Sequence, residues 1–162
     1  MLAPASLSAK LDLAKCCRLA MIHDMAEALV GDITPVDPVS KEEKSRRESE
    51  TMDYICEKLL GRVGGGLSGK EIRAVWQEYE DSVTEESLFV HDVDKIELLL
   101  QMVEYERESG CEKDLGEFTW VAKKIVSEEV RGWAEGVFRE RKEMWKLAGR
   151  TCTWRADTEP KE

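Results

Sequence analysis

The chain has 162 residues, is 42% apolar and carries 24 Lys and Arg against 34 Asp and Glu, a net charge of −10. That composition suits one domain with a sizeable core and argues against a surface for a nucleic-acid polymer, which needs a basic stripe. A mononucleotide remains compatible, because a bound dication and a few local Arg or Lys reverse the field in a pocket. The five cysteines are odd in number and lack Cys-x-x-Cys spacing, so reduced thiols are expected. No basic segment leads into an apolar run, and no apolar stretch reaches membrane-spanning length. The expectation is a cytoplasmic protein, with the nucleus also open, and no membrane partner.

In chain order, the pattern predicts a first helix from about Ser8 to Val30, stopped by Gly31. Pro35 and Pro38 keep Asp32 to Val39 in a loop. Ser40 with Glu43 forms a capping box and opens a second helix, charged in its early part, to about Leu60. The glycine-rich connector 61–66 precedes a third helix, which Leu67, Ser68, Glu71 and Ile72 supply with a staple and a capping box, to about Glu80. Leu88, Val93, Ile96, Leu100 and Val103 give a fourth helix, Thr84 to Ser109, its apolar stripe, and Gly110 ends it. A last helix is expected from Phe118 to Ala148, with Trp120, Ile125, Trp133, Val137 and Trp145 at helical spacing. No run alternates as a strand would. The fold class is all-α, a helical bundle of about five to seven helices forming one domain over 8–148, with flexible termini at 1–7 and 149–162.

Chemistry concentrates between Leu19 and Pro35. On a helix His23 and Glu27 share one face four residues apart, and Asp24 lies three before Glu27. Apolar neighbours put these groups in a buried or cleft environment, where a metal ion can satisfy several acceptors at once. Each has a plainer alternative: His23 as a core histidine satisfied by a backbone carbonyl, Asp24 and Glu27 as surface carboxylates, Asp32 as a turn former before Pro35. Lys44, Arg46 and Arg47 can meet a phosphate but sit at intrahelical pairing distance from Glu42, Glu43, Glu48 and Glu50, and ion pairing is the stronger reading. Asp94 lies between Val93 and Ile96 of the apolar stripe, which suits a cleft position. Asp92, about 160° away around a helix, is expected in solvent, and His91 on the surface or supporting the site.

His23-Asp24 with Glu27, the string Gly31-Asp32-Ile33-Thr34-Pro35, the segment Ser40 to Glu48 and Phe89-Val90 leading to Asp94 together resemble the HD-domain metal-dependent phosphohydrolases, within them the 5′-deoxynucleotidase branch. The resemblance runs from about Leu13 to Glu108. It implies an HD-domain helical bundle and a divalent metal of the Mn, Co, Fe or Zn class held by His23, Asp24 and Asp94. The family pattern also has a histidine ligand on an earlier helix. No histidine precedes His23, so the chain reads as N-terminally shortened relative to that pattern. Glu27 resembles the family's catalytic acid/base, and Asp32 is the second candidate for proton chemistry or for a sugar hydroxyl. Substrate-binding residues stay unassigned. The activity implied is hydrolysis of 5′-deoxyribonucleoside monophosphates to deoxynucleoside and phosphate, with a homodimer as an expectation. The alternative is a catalytically inactive scaffold, dimerisation module or nucleotide-binding remnant of that family.

Overall fold

The computed structural model describes residues 5–33, 37–63, 67–155 and 158–160, and among these the regular structure is helical throughout, without a strand. The elements are α1 (Ala5–Ser8), α2 (Leu13–Ile22), α3 (Glu27–Val30), α4 (Lys41–Tyr54), a π turn (Ile55–Leu59), α5 (Leu67–Asp81), α6 (Glu85–Glu108), a 3₁₀ segment (Gly116–Lys124) and α7 (Glu128–Leu147). Among the described residues no helix is long and apolar enough to cross a membrane. The chain forms two compact units, Met1–Ser87 and Leu88–Glu162.

In the first unit Asp12 caps α2 by accepting from the Lys15 backbone N–H at 3.0 Å. Lys15 in turn reaches Glu78 at 2.6 Å and Glu86 at 3.2 Å. The long first helix expected from sequence is broken. After Ile22 the backbone turns through three-residue bonds, Met25 N–H to Ile22 C=O and Glu27 N–H to Asp24 C=O, each 3.0 Å, before α3 begins. His and Asp are weak helix formers whose side chains compete for local partners, and here both are used that way. Ser40 caps α4 as expected, accepting from Glu43 N–H at 3.2 Å. The end of that helix widens into the π turn, with Leu60 N–H on Ile55 C=O. Ala26, Met52, Ile55, Cys56 and Trp76 form the core, with Ile22, Met25, Leu60 and Ile72 packed around them. Ser68, expected as a cap, lies inside α5. The helix approaches the π turn so closely at Gly69 that a Cβ there would stand 2.2 Å from the Cys56 carbonyl oxygen.

In the second unit the buried side of α6 carries Phe89, Asp92, Ile96, Leu99, Val103 and Glu106, while Leu100, expected in the stripe, is 45% exposed. Gly110 and Cys111 both take positive φ and close the helix, Cys111 N–H on Glu106 C=O at 2.8 Å and Gly110 N–H on Arg107 C=O at 3.0 Å. The single helix expected over Phe118–Ala148 is also interrupted. Ile125 is extended, Ser127 starts α7, and the Asp92 carboxylate accepts from Val126 N–H at 3.0 Å and Ser127 N–H at 2.7 Å. Asp92, expected in solvent, is therefore buried, because two free backbone donors at a helix start need an acceptor.

Glu106 is fully buried in this unit and accepts from Arg141 Nε and Nη2, Trp145 Nε1 and Leu115 N–H, each at 2.8 Å. Arg141, also fully buried, reaches Asp114 and the Thr153 carbonyl. The latter bond and the edge of Trp154 against Phe138, 5.3 Å between centroids, tie down residues 150–155, which the sequence pattern alone would leave to fray. Arg141→Met leaves the Glu106 carboxylate buried without its main partner, so unfolding by urea should show a loss of roughly 3–5 kcal/mol.

Candidate metal and proton-transfer site

His23 follows the last residue of α2, and its own N–H still bonds to Leu19 C=O. The ring turns back on the helix so that Nδ1–H donates to the Ala20 carbonyl at 2.9 Å. A carbonyl oxygen cannot donate, so Nδ1 carries the hydrogen and, in the neutral ring, Nε2 carries the lone pair. Nε2 stands 2.9 Å from Asp24 Oδ2. Two lone pairs held this close call for a positive charge, either a second ring proton or a metal ion. The pair fits a divalent ion well: an imidazole nitrogen and a carboxylate oxygen suit first-row metals, and adjacent ligand atoms of an octahedral ion lie about 3 Å apart. The carbonyl behind the imidazole is the usual device that orients a ligating histidine. The His23 ring also rests against Tyr79, with centroids 4.8 Å apart.

Glu27 opens α3, with 27% of its side chain exposed. Burial, then the nearby charges of Asp24 and Asp32, push its carboxyl up from the usual 4.5 to about 7, and Lys44 pulls the other way. Lys44 lies 4.0 Å from Glu27 Oε1 and 3.5 Å from Glu48 Oε1, and donates to the Ile33 carbonyl at 2.9 Å. Asp32 is exposed, one residue beyond Gly31, whose φ of 77° allows the chain to leave the helix as the sequence suggests. Thr34 and Pro35 lie outside the described residues.

The first unit thus brings together His23, Asp24, Glu27 and the charge of Asp32, although the helical register that suggested this is replaced by a turn. Arg46 and Arg47 are engaged by Glu43, which they hold down at about 2, and Arg46 also by Glu50. Ion pairing is therefore their structural role. Asp94 belongs to the second unit, where it is exposed on α6. His91, half-buried, accepts from Lys95 Nζ through its backbone carbonyl. Among the described residues no three His, Cys, Asp or Glu side chains are grouped so as to hold an ion. Sequence reasoning missed Tyr79 and the position of Lys44 among the carboxylates. The four-residue spacing of Lys44 and Glu48 signalled their pairing, but nothing local signalled the contact with Ile33.

The chain matches the HD domain family over residues 1–133. The 5′-deoxynucleotidase hdd1 of Schizosaccharomyces pombe is 47% identical over 131 residues, covering 81% of this chain and 66% of that protein. The 5′-deoxynucleotidase YBR242W of Saccharomyces cerevisiae is 45% identical over 127 residues, 78% of this chain and 53% of its own length. The human 5′-deoxynucleotidase HDDC2 is 46% identical over 92 residues, 57% of this chain and 43% of that protein. The match thus spans from under half to just under two thirds of the length of these relatives. Among solved structures, the HD domain-containing protein YGK1(YGL101W) superposes with a TM-score of 0.70 at 34% identity, covering 90% of this chain and 72% of that one.

The raised Glu27 carboxyl has a consequence for stability. Its contribution is complete below about pH 4.5, where folded and unfolded chains both hold the proton, and is lost as pH rises through about 7, because the unfolded chain releases it first. Denaturant unfolding from pH 4.5 to 8 should therefore show a Glu27-dependent fall of roughly 1–3 kcal/mol, allowing for partial screening by solvent. Glu27→Gln should remove that part of the fall and gain on the parent chain as pH increases.

Proposed function

Because the chain belongs to the HD domain family, we propose that it hydrolyses 5′-deoxyribonucleoside monophosphates to deoxynucleoside and phosphate, using a divalent metal ion. The observation that carries this reading is the His23–Asp24 pair, Nε2 and Oδ2 2.9 Å apart, beside a Glu27 carboxyl that sits near neutrality. The likeness to relatives named 5′-deoxynucleotidases favours the hydrolase over an inactive scaffold. It also supplies the substrate class, which nothing in the geometry of the first unit specifies.

Hydrolysis of a phosphomonoester adds water to phosphorus as the P–O5′ bond breaks, and the leaving oxygen takes up a proton. When bound, a divalent ion of the Mn, Co, Fe or Zn class supplies neutralisation of the phosphoryl charge and a more acidic water. His23 offers Nε2 and Asp24 offers Oδ2 as ligand atoms, and the Ala20 carbonyl keeps His23 in the tautomer that can ligate. Glu27 is the acid/base. A carboxyl with a pKa of about 7 is half protonated at neutral pH, so it can give a proton to O5′ and recover one from water. Asp32 contributes by holding negative charge near Glu27, which keeps that proton in place.

Phosphate release from deoxyadenosine monophosphate by chelator-stripped protein should return on addition of Mn²⁺ or Co²⁺ and be abolished by His23→Ala. Glu27→Gln should lower kcat by roughly 10²–10⁴-fold with metal content unchanged. A Glu27→Gln variant that kept full activity would refute the acid/base assignment.

A further inference from the structure

The tertiary structure adds a contact that no local pattern announces. Tyr79 lies near the C-terminal end of α5, is only 7% exposed, and presents its ring to the imidazole of His23 at 4.8 Å between centroids, the planes inclined at 50°. Its backbone is fixed as firmly as its ring. The Tyr79 carbonyl accepts from both the N–H and the Oγ–H of Ser82, each at 3.1 Å, where Ser82 takes a φ of 52° and the helix stops. Tyr79 is therefore a buried aromatic plate on one side of His23.

That plate matters because His23 closes the end of α2, and an imidazole can turn about two side-chain bonds. Only one ring orientation sends Nδ1–H to the Ala20 carbonyl and Nε2 to Asp24. The carbonyl can fix the hydrogen but does little against a tilt of the ring out of its plane. The inclined ring of Tyr79, packed against the imidazole, limits that tilt.

We propose that Tyr79 is a positioning residue for His23, holding the imidazole in the plane that commits Nδ1–H to Ala20 and leaves Nε2 toward Asp24. The metal-binding half of this inference rests on the ligand reading of His23 and Asp24; the orientation of the ring does not.

The test compares the full chain with Tyr79→Phe and Tyr79→Leu, and with Tyr79→Met, closer in volume, should the Leu variant fail to fold. In metal-free protein at a pH high enough to keep the imidazole neutral, ¹⁵N spectra of the His23 ring should show Nδ1 as the protonated nitrogen in the parent and Phe variants, and a mixture of the two tautomers in the Leu variant. Titration with Co²⁺ should then give an affinity within about threefold of the parent for Phe and roughly 10–100-fold weaker for Leu. A Leu variant with an unchanged ring spectrum and unchanged Co²⁺ affinity would overturn the proposal. So would a Phe variant as impaired as Leu, which would make the hydroxyl the operative group. A parent chain that binds no Co²⁺ would instead defeat the ligand reading of His23 and Asp24, while the ring spectra would still decide the role of Tyr79.

Discussion

The bond from His23 Nδ1–H to the Ala20 carbonyl is the constraint on which the candidate site turns. By folding its ring back on α2, His23 marks the point where the helix gives way to the turn 23–26, and the same bond decides which ring nitrogen keeps a lone pair. Asp24 then falls beside Nε2, Glu27 begins a new short helix, and Gly31 releases Asp32 into the loop. A helix continued through this stretch would keep Glu27 on the His23 face, but would give neither the turn nor this arrangement of Nε2 against Oδ2.

Carboxylates serve two opposite purposes in the chain. Asp92 and Glu106 are buried and surrounded by N–H donors, so their charge is spent on holding backbone and Arg141 in place. Among the described residues no buried side-chain nitrogen or oxygen lacks a partner. Glu27 is placed differently. Its neighbours Asp24, Asp32 and Glu48 repel its charge, and Lys44, 4.0 Å away, is shared with Glu48 and the Ile33 carbonyl. Burial, with this surplus of negative charge, gives a carboxyl that exchanges its proton near neutral pH. It also favours a cation, because an added positive charge relieves several repulsions at once.

The cations of α4 divide in the same way. Arg46 and Arg47 are consumed by Glu43 and Glu50 on the exposed side of the helix, a few residues from Lys44, which turns toward the loop. One helix thus separates surface ion pairing, worth little to stability, from a lysine set among the carboxylates of the site.

Local sequence was enough to show that the chain is helical, that Ser40 starts α4, that Gly31 and Gly110 end their helices, and which short segment gathers an imidazole with carboxylates. Each of these is a local property: helical periodicity, a side chain that reaches the backbone of its own first turn, or a φ that glycine adopts without strain. Packing in three dimensions set where long apolar-periodic stretches break, that Asp92 is buried while Asp94 is exposed, that residues 150–155 are strapped down by Arg141, and that Tyr79 stands against His23. Those outcomes depend on donors, acceptors and rings supplied by residues distant in the chain, such as the N–H groups of Val126 and Ser127 for Asp92. A pattern of neighbours carries no record of partners that far away, so periodicity alone could not distinguish the buried aspartate from the exposed one.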